Sequence, residues 1–469
     1  MLIKPFVDEG LGNSSYLLAS EETGQAVLID AERDVDRYFG VAEGLGLRLT
    51  YALDTHLHND FLSGAREAAV RAGLVVGASA GAGLAFDHLP LEDGARLSLG
   101  DLSIETLATP GHTPEHVSYA VRQLDGVQVL ALFTGGALIV GGAARTDLLG
   151  PEYTESLTRQ LYHTLHDRLL TLTDDVAVYP THGAGSFCAA PASSSRTTTL
   201  GNERLHNRLV QARSEAEFAS RALQDLPSYP TYFRYMRDIN RLGPRVLGGL
   251  PVLAPLSARS VQAGIEEGVA VLDTRSPQEF MAAHVPGSYG IPLGAPLITW
   301  AGWVVPFASP IILVADRPED RIEAVRQLVR IGYDDLRGYL EGGVGGWQAA
   351  GLSVEKVAIV PPERLLAALE QGTAPVILDV RQEADWRSGH LPGALHVEVG
   401  DLTITLPDLP KDAPIVVHCG HADRSTIAIS LLARQGYISL ALLDGGFSGW
   451  QAAGYPVTRK DTLPERDHA

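Results

Sequence analysis

The chain has 469 residues, 45% of them hydrophobic and 20% charged, with a formal net charge of −19 and two cysteines. This length exceeds one hydrophobic core and sets an expectation of about three domains, while the ordinary composition excludes collagen-like, low-complexity and disulfide-scaffold chains. The acidic balance repels nucleic-acid backbones and anionic membrane surfaces, so an anionic substrate must find a local positive pocket. The opening M-L-I-K-P-F-V-D-E-G lacks the basic and long apolar regions of a signal peptide. Gly and Pro break the apolar stretches 127–142 and 304–315, which fall short of the ~20 residues that span a bilayer. Cys188 and Cys419 lie far apart, which excludes a disulfide framework and sets the expectation of a reducing, cytoplasmic compartment.

In chain order, the first 190 residues alternate short β-branched or Leu-rich runs with Gly-, Asp- and Pro-marked turns. Strands are expected at 25–30, 50–54, 102–107, 127–133 and 176–179, with helices at 62–72 and 155–170, an α/β layering. Four polar motifs follow strand ends: T-H-L-H-N-D-F from Thr55, T-P-G-H-T-P from Thr109, L-F-T-G-G-A-L from Leu132 and P-T-H-G-A-G-S from Pro180. In the first, His56, His58 and Asp60 are metal-type residues, whereas Phe61 has no lone pair to offer. The polar stretch 190–199 leads to an expected helix at about 202–225, and L-P-S-Y-P-T-Y-F and L-G-P-R-V-L-G-G-L-P-V read as a linker.

Beyond residue 255 the chain repeats itself. L-D-T-R-S-P-Q-E-F-M-A-A-H-V-P-G-S from Leu272 matches L-D-V-R-Q-E-A-D-W-R-S-G-H-L-P-G-A from Leu378, and L-E-G-G-V-G-G-W-Q-A-A-G from Leu340 matches L-D-G-G-F-S-G-W-Q-A-A-G from Leu443. A spacing of about a hundred residues indicates two copies of one parallel-sheet α/β module. The expected domains are therefore 1–250, 251–356 and 357–469.

The last copy carries P-I-V-V-H-C-G-H-A-D-R-S-T-I-A-I-S, in which an apolar strand runs into Cys419, a tight loop reaches Arg424, and an amphipathic helix starts near Ser425. Such a loop turns successive backbone N–H groups toward the sulfur at the positive end of a helix, an arrangement that favours a thiolate and the anion of a cysteine persulfide. The pattern C-x-x-x-x-R-S, with D-V-R and H-L-P-G-A upstream, resembles the rhodanese sulfurtransferases. The resemblance implies that Cys419 is the nucleophile and that Arg424 and His421 meet an anionic donor, partly offset by Asp423. Gly420, Ala422 and Ser425 complete the binding loop. In the middle copy Ala315 falls opposite Cys419, with acidic Asp316, Glu319 and Asp320 around it, so this copy is expected to play a structural or docking part.

The four N-terminal motifs, with L-I-D-A around Ile29, resemble the metallo-β-lactamase fold and, within it, the glyoxalase II and persulfide dioxygenase branch. R-T-D-L at Arg145 and H-G-A-G-S-x-C ending at Cys188 favour the persulfide dioxygenase side, as does fusion to rhodanese-like modules. The resemblance implies an α/β chain with an N-terminal αββα sandwich and two rhodanese-like domains. Phe61 replaces a family histidine and Gly136 a metal-binding aspartate. A first metal set of His56, His58 and His112 is therefore expected, with Asp60 and His182 too few for a second, so at most one iron or zinc ion is expected. No organic cofactor is called for. Phe61 is expected to pack over the site, and Cys188 to lie beside it as a sulfur acceptor or an inert packed thiol.

Four functional readings stay open. The preferred one, resting on the intact cysteine loop, is a sulfurtransferase using thiosulfate or a thiol persulfide such as glutathione persulfide as donor and a thiol as acceptor, with no nucleic-acid or membrane partner. The second is a persulfide dioxygenase–rhodanese fusion with mononuclear iron. The third is a zinc-dependent thioester hydrolase, against which Phe61 and Gly136 argue. The last is a non-enzymatic sulfur carrier or scaffold. The resemblance also leaves a homodimer open.

Overall fold

A computed structural model describes residues 1–189, 194–224, 226–294 and 297–459. Part of the polar stretch 190–199, the expected helix end at Asp225 and the last ten residues of the expected third domain lie outside the described residues. The chain forms two compact units, Met1–Pro251 with Arg326–Gly332, and Val252–Val325 with Tyr333–Ala469.

The first unit is built on two six-stranded sheets. One holds β1 (Leu2–Asp8), β2 (Asn13–Ala19), β3 (Gln25–Ile29), β4 (Arg48–Leu53), β5 (Val75–Ser79) and β6 (Leu89–Leu91) in that order. The other holds β7 (Arg96–Leu99), β8 (Leu102–Ala108), β9 (Val117–Gln123), β10 (Val129–Gly135), β11 (Ala177–Pro180) and β12 (Thr198–Thr199). Period-two alternation sorts side chains between layers. Tyr16, Leu18, Val27 and Ile29 meet Ile104, Tyr119, Val121 and Phe133 between the sheets. Leu17, Ala19, Ala26 and Leu28 instead pack on α1 (Asp36–Gly44) and α2 (Ala65–Ala72). On the far side, Ala120, Leu132 and Val178 bury Leu161, Leu200 and Phe218 of α3 (Pro151–His163), α4 (Leu200–His206) and α5 (Glu215–Ala222). The result is the expected αββα sandwich.

Two expectations fail here. The single helix at 202–225 is broken, because the Asn207 side chain accepts the N–H groups of Leu209 and Val210 while Ser214 caps a fresh start. The linker contains α6 (Phe233–Leu242), whose Phe233, Met236 and Asn240 are buried. In the segment 326–332, which packs with this unit, buried Arg330 reaches Asp8 at 2.5 Å, Asp34 at 2.7 Å and Glu32 at 2.9 Å.

The second unit contains the two copies, each with a five-stranded parallel sheet. The first copy has β13 (Pro255–Leu256), β14 (Ala270–Asp273), β15 (Tyr289–Gly290), β16 (Ile311–Val314) and β17 (Leu336–Leu340). Its helices are α7 (Ala258–Glu266), α8 (Pro277–Ala282), α9 (Leu297–Val304), α10 (Pro318–Arg330) and α11 (Gly343–Ala349). The second has β18 (Ala358–Val360), β19 (Val376–Asp379), β20 (Leu395–His396), β21 (Ile415–His418) and β22 (Leu440–Leu443), with α12 (Pro362–Glu370), α13 (Glu383–Ser388), α14 (Asp423–Arg434) and α15 (Gly446–Ala452). Val314 pairs with Asp273 as His418 pairs with Asp379, so Ala315 does stand at the position of Cys419. Helix α14 starts at Asp423, near Ser425 as expected, but it is not amphipathic over 425–432, where every residue is buried. No helix of the described residues is long and apolar enough to cross a membrane.

Candidate functional site

In the first unit the polar motifs follow the ends of β4, β8, β10 and β11, and their side chains converge. Donor atoms of His56, His112 and His182 lie within 4.8 Å of one another, and so do those of His58, Asp60 and His182. His182 thus groups with His56 and His112, whereas the expected first set had His58 in that place. His58 lies beside His56, ring centroids 4.2 Å apart, but its Nε2 is 3.2 Å from Asp30 Oδ1 and its ring stacks on Phe61 at 4.1 Å. Burial opposes charge on both partners, yet Asp30 raises the His58 imidazole above its ordinary value. His58 and hydrogen bonds from Thr181 and Thr55 hold the Asp30 carboxyl below its own. Each thus favours the charged form of the other.

The trio is neutral. Burial, then neighbouring imidazoles, depresses His56 well below the ordinary range, and burial brings His112 and His182 down to about 3. Each Nδ1 has a fixed partner. His112 Nδ1 donates to the Arg145 carbonyl at 2.6 Å, and His182 Nδ1 to Asn13 Oδ1 at 3.0 Å. Thr55 Oγ1 gives its proton to Asp30 and so accepts from His56 Nδ1 at 2.8 Å. Such outer hydrogen bonds orient imidazoles for a metal.

Sequence reading missed His116, which stacks on His56 at 4.9 Å between ring centroids and accepts the Gly136 N–H through Nε2 at 3.0 Å. A Cβ at Gly136 would stand 2.7 Å from the His112 ring and 2.8 Å from the Ala144 methyl, so the slot of the family aspartate is filled. Helix α6 was missed as a lid. Asn240 donates to the carbonyls of His58 and Phe61 and accepts the Ser63 N–H, each at 2.9 Å. Tyr232 donates to the Asp60 carbonyl, and Arg237 grips Glu115, which in turn accepts the Leu57 N–H. The strong alternation of apolar and basic residues in F-R-Y-M-R-D-I-N-R-L was the available signal. Under this cover, the cavity touching His56 measures about 10 Å³, room for about one water. Cys188 lies fully buried; burial first, then Asp60, pushes its thiol well above the ordinary range. It is a packed neutral thiol, not a wall of an open substrate pocket.

In the second unit Cys419 lies at the base of its loop, 2% exposed, while Gly420 to Arg424 reach solvent. The Cys419 and Gly420 carbonyls accept the Phe447 and Ser448 N–H groups at 2.7 and 3.0 Å. With its carbonyls pinned outward, the loop turns the opposite faces of its peptides inward. Among the described residues no acceptor takes the N–H groups of Gly420 to Ser425, and the buried Ser425 Oγ is also without a partner. Gly446 permits the contact: its φ is +55°, and a Cβ there would stand 2.5 to 2.9 Å from the carbonyl oxygens of His421, Cys419 and Gly420. Arg424 lies at the loop mouth, 3.6 Å from a Cβ position at Gly420 and 3.3 Å from Asp385. His421 is exposed, 3.2 Å from Ser448 Oγ. In the middle copy Arg321 takes the place of Ser425 and donates to the Ala315 and Asp316 carbonyls at 3.0 and 3.2 Å. That loop is held by a guanidinium and has no thiol.

The rhodanese-like domain family matches residues 257–350 and 361–453. The N-terminal part is similar to persulfide dioxygenase ETHE1, mitochondrial, of Homo sapiens, 34% identical over 191 residues that cover 39% of this chain and 68% of that protein. Another stretch is similar to thiosulfate sulfurtransferase GlpE of Pseudomonas fluorescens (strain SBW25), 36% identical over 98 residues, 21% of this chain and 87% of that protein. A crystal structure of a metallo-beta-lactamase from Staphylococcus aureus subsp. aureus COL superposes with a TM-score of 0.65 at 28% identity, covering 72% of this chain and 98% of that one.

Proposed function

This chain belongs to the metallo-β-lactamase-fold/rhodanese fusion proteins of the persulfide dioxygenase-like branch, and we propose that it moves sulfane sulfur through a persulfide on Cys419. The observation that carries this reading is the loop itself, whose Cys419 and Gly420 carbonyls are held by α15 and whose N–H groups have no acceptor among the described residues. In the cycle, the Cys419 thiolate attacks the outer sulfur of thiosulfate. The S–S bond of the donor breaks, its electron pair leaves on sulfite, and Cys419 holds the sulfur as Cys–S–S⁻. A thiolate or cyanide then takes the terminal sulfur and returns the electron pair to Cys419. The N–H groups of Gly420 to Ser425 and the Ser425 hydroxyl stabilise the persulfide anion, while Arg424 meets the charge of the donor.

The second reading, persulfide dioxygenation in the first unit, rests on the buried imidazole trio and the likeness to ETHE1. The donor set fits a transition-metal ion: His112 Nε2 is buried without a partner, and so are His58 Nδ1 and Asp60 Oδ1. Iron held there would supply oxygen activation. The missing carboxylate at Gly136 favours the Cys419 reading instead. The deciding assay is cyanide-dependent thiosulfate turnover. Cys419→Ser is expected to abolish it with folding unchanged by circular dichroism, and wild-type turnover in that variant would end the assignment.

A further inference from the structure

We propose that one divalent transition-metal ion binds between the Nε2 atoms of His56, His112 and His182, with His182 standing in for the carboxylate that Gly136 lacks. The first support is an arrangement of lone pairs. The Arg145 carbonyl and Asn13 Oδ1 can only accept, and the Thr55 hydroxyl proton is spent on Asp30, so each imidazole carries its proton on Nδ1. Every Nε2 is then an acceptor. His56 Nε2 and His182 Nε2 nevertheless face each other at 3.4 Å, and His112 Nε2 is buried without any partner. Two acceptors at that distance form no hydrogen bond, and a shared cation resolves the contact. Ligands 2.0–2.1 Å from a tetrahedral ion stand about 3.3 Å apart, close to the separation observed.

The second support is steric. At Gly136 the ring of His112 and the methyl of Ala144 occupy the space a side chain would need. His116 spends its lone pair on the Gly136 N–H and so stays outside the set although it stacks on His56. His58 is committed to Asp30 through Nε2. Its own group with Asp60 shares His182, so both groups cannot be filled unless His182 Nδ1 gives up Asn13. One ion per chain follows.

Three imidazoles bring no negative charge, so the ion keeps its double charge and its fourth position draws an anion.

The test uses the full chain stripped by a chelator. Reloaded with Cu²⁺, it is expected to take one equivalent, and pulsed electron paramagnetic resonance should count three coordinated imidazoles. By Zn²⁺ competition, His182→Gln should lower affinity about a hundredfold or more. Asn13→Ala, which spares every ligand and removes the acceptor of His182 Nδ1, should lower it about 10–100-fold. His58→Gln should leave the count at three. Two imidazoles in the wild-type chain, two equivalents of metal, no binding, or a count that falls with His58→Gln would each overturn the proposal. The wild-type count decides even if His182→Gln fails to fold. Thiosulfate turnover at Cys419 should be the same with and without metal, so failure here is distinct from failure of the sulfurtransferase reading.

Discussion

Gly446→Ala tests whether loop geometry, rather than the thiol alone, makes Cys419 work. Gly446 sits at φ +55°, and its new methyl would stand 2.5 Å from the His421 oxygen, 2.6 Å from that of Cys419 and 2.9 Å from that of Gly420. All three are backbone atoms, which cannot rotate away. The left-handed conformation costs alanine about 1–2 kcal/mol, and overpacking adds about 1–3 kcal/mol. If the loop moves off α15, the hydrogen bonds to Cys419 O and Gly420 O weaken, at about 0.5–1.5 kcal/mol each. Strain and overpacking together give an expected destabilisation of about 2–5 kcal/mol by urea unfolding, before any hydrogen-bond loss. A shift of about 1 Å in the N–H cradle should lower turnover about a hundredfold. Gly343→Ala is the matched control, with φ +58° and a 2.5 Å approach to Asp316 Oδ1, the far end of a side chain that can swing out. It should cost about 1–2 kcal/mol and leave turnover unchanged. Wild-type turnover in Gly446→Ala, or equal loss in both variants, would refute the reasoning.

Placing a thiol in the middle copy should not create a second site. Ala315→Cys in the Cys419→Ser background is expected to show no thiosulfate turnover, because Arg321 holds the loop carbonyls that α15 holds in the last copy. Measurable turnover would show that the cysteine was all this copy lacked. Arg330→Ala should destabilise the chain by about 3–5 kcal/mol in urea unfolding, since it removes the ion-pair partner of buried Asp8 and leaves Glu32 and Asp34 to Arg37 and Arg326; a change below about 1 kcal/mol would mark the network as a surface-like pair.

Local patterns carried much of this architecture. Alternating strands and helices announced α/β layering, the resemblance of the four strand-end motifs implied the sandwich, the repeated Gly, Pro and Trp positions announced the paired modules, and C-x-x-x-x-R-S located the cysteine loop. Each of these is short-range, because strand period, turn chemistry and a strand-loop-helix cradle are set by neighbours in sequence. The element missed most clearly, α6, hid between two Pro- and Gly-rich segments. Its role as a lid depends on Asn240 bonding to His58 and Phe61, residues far away along the chain.

The metal-type histidines divide along the same line. Their identities, and the losses at Phe61 and Gly136, are visible in the letters. Which of them face one another is not, because four strand ends from two sheets bring them together. The family resemblance grouped His58 with His56 and His112. Asp30 takes up the Nε2 of His58, whose ring still lies 4.2 Å from that of His56, and Asn13, from the start of β2, aims His182 Nε2 at His56. Desolvation makes that choice: in a dry interior each proton must find an acceptor, and only the assembled fold determines which acceptors are in reach.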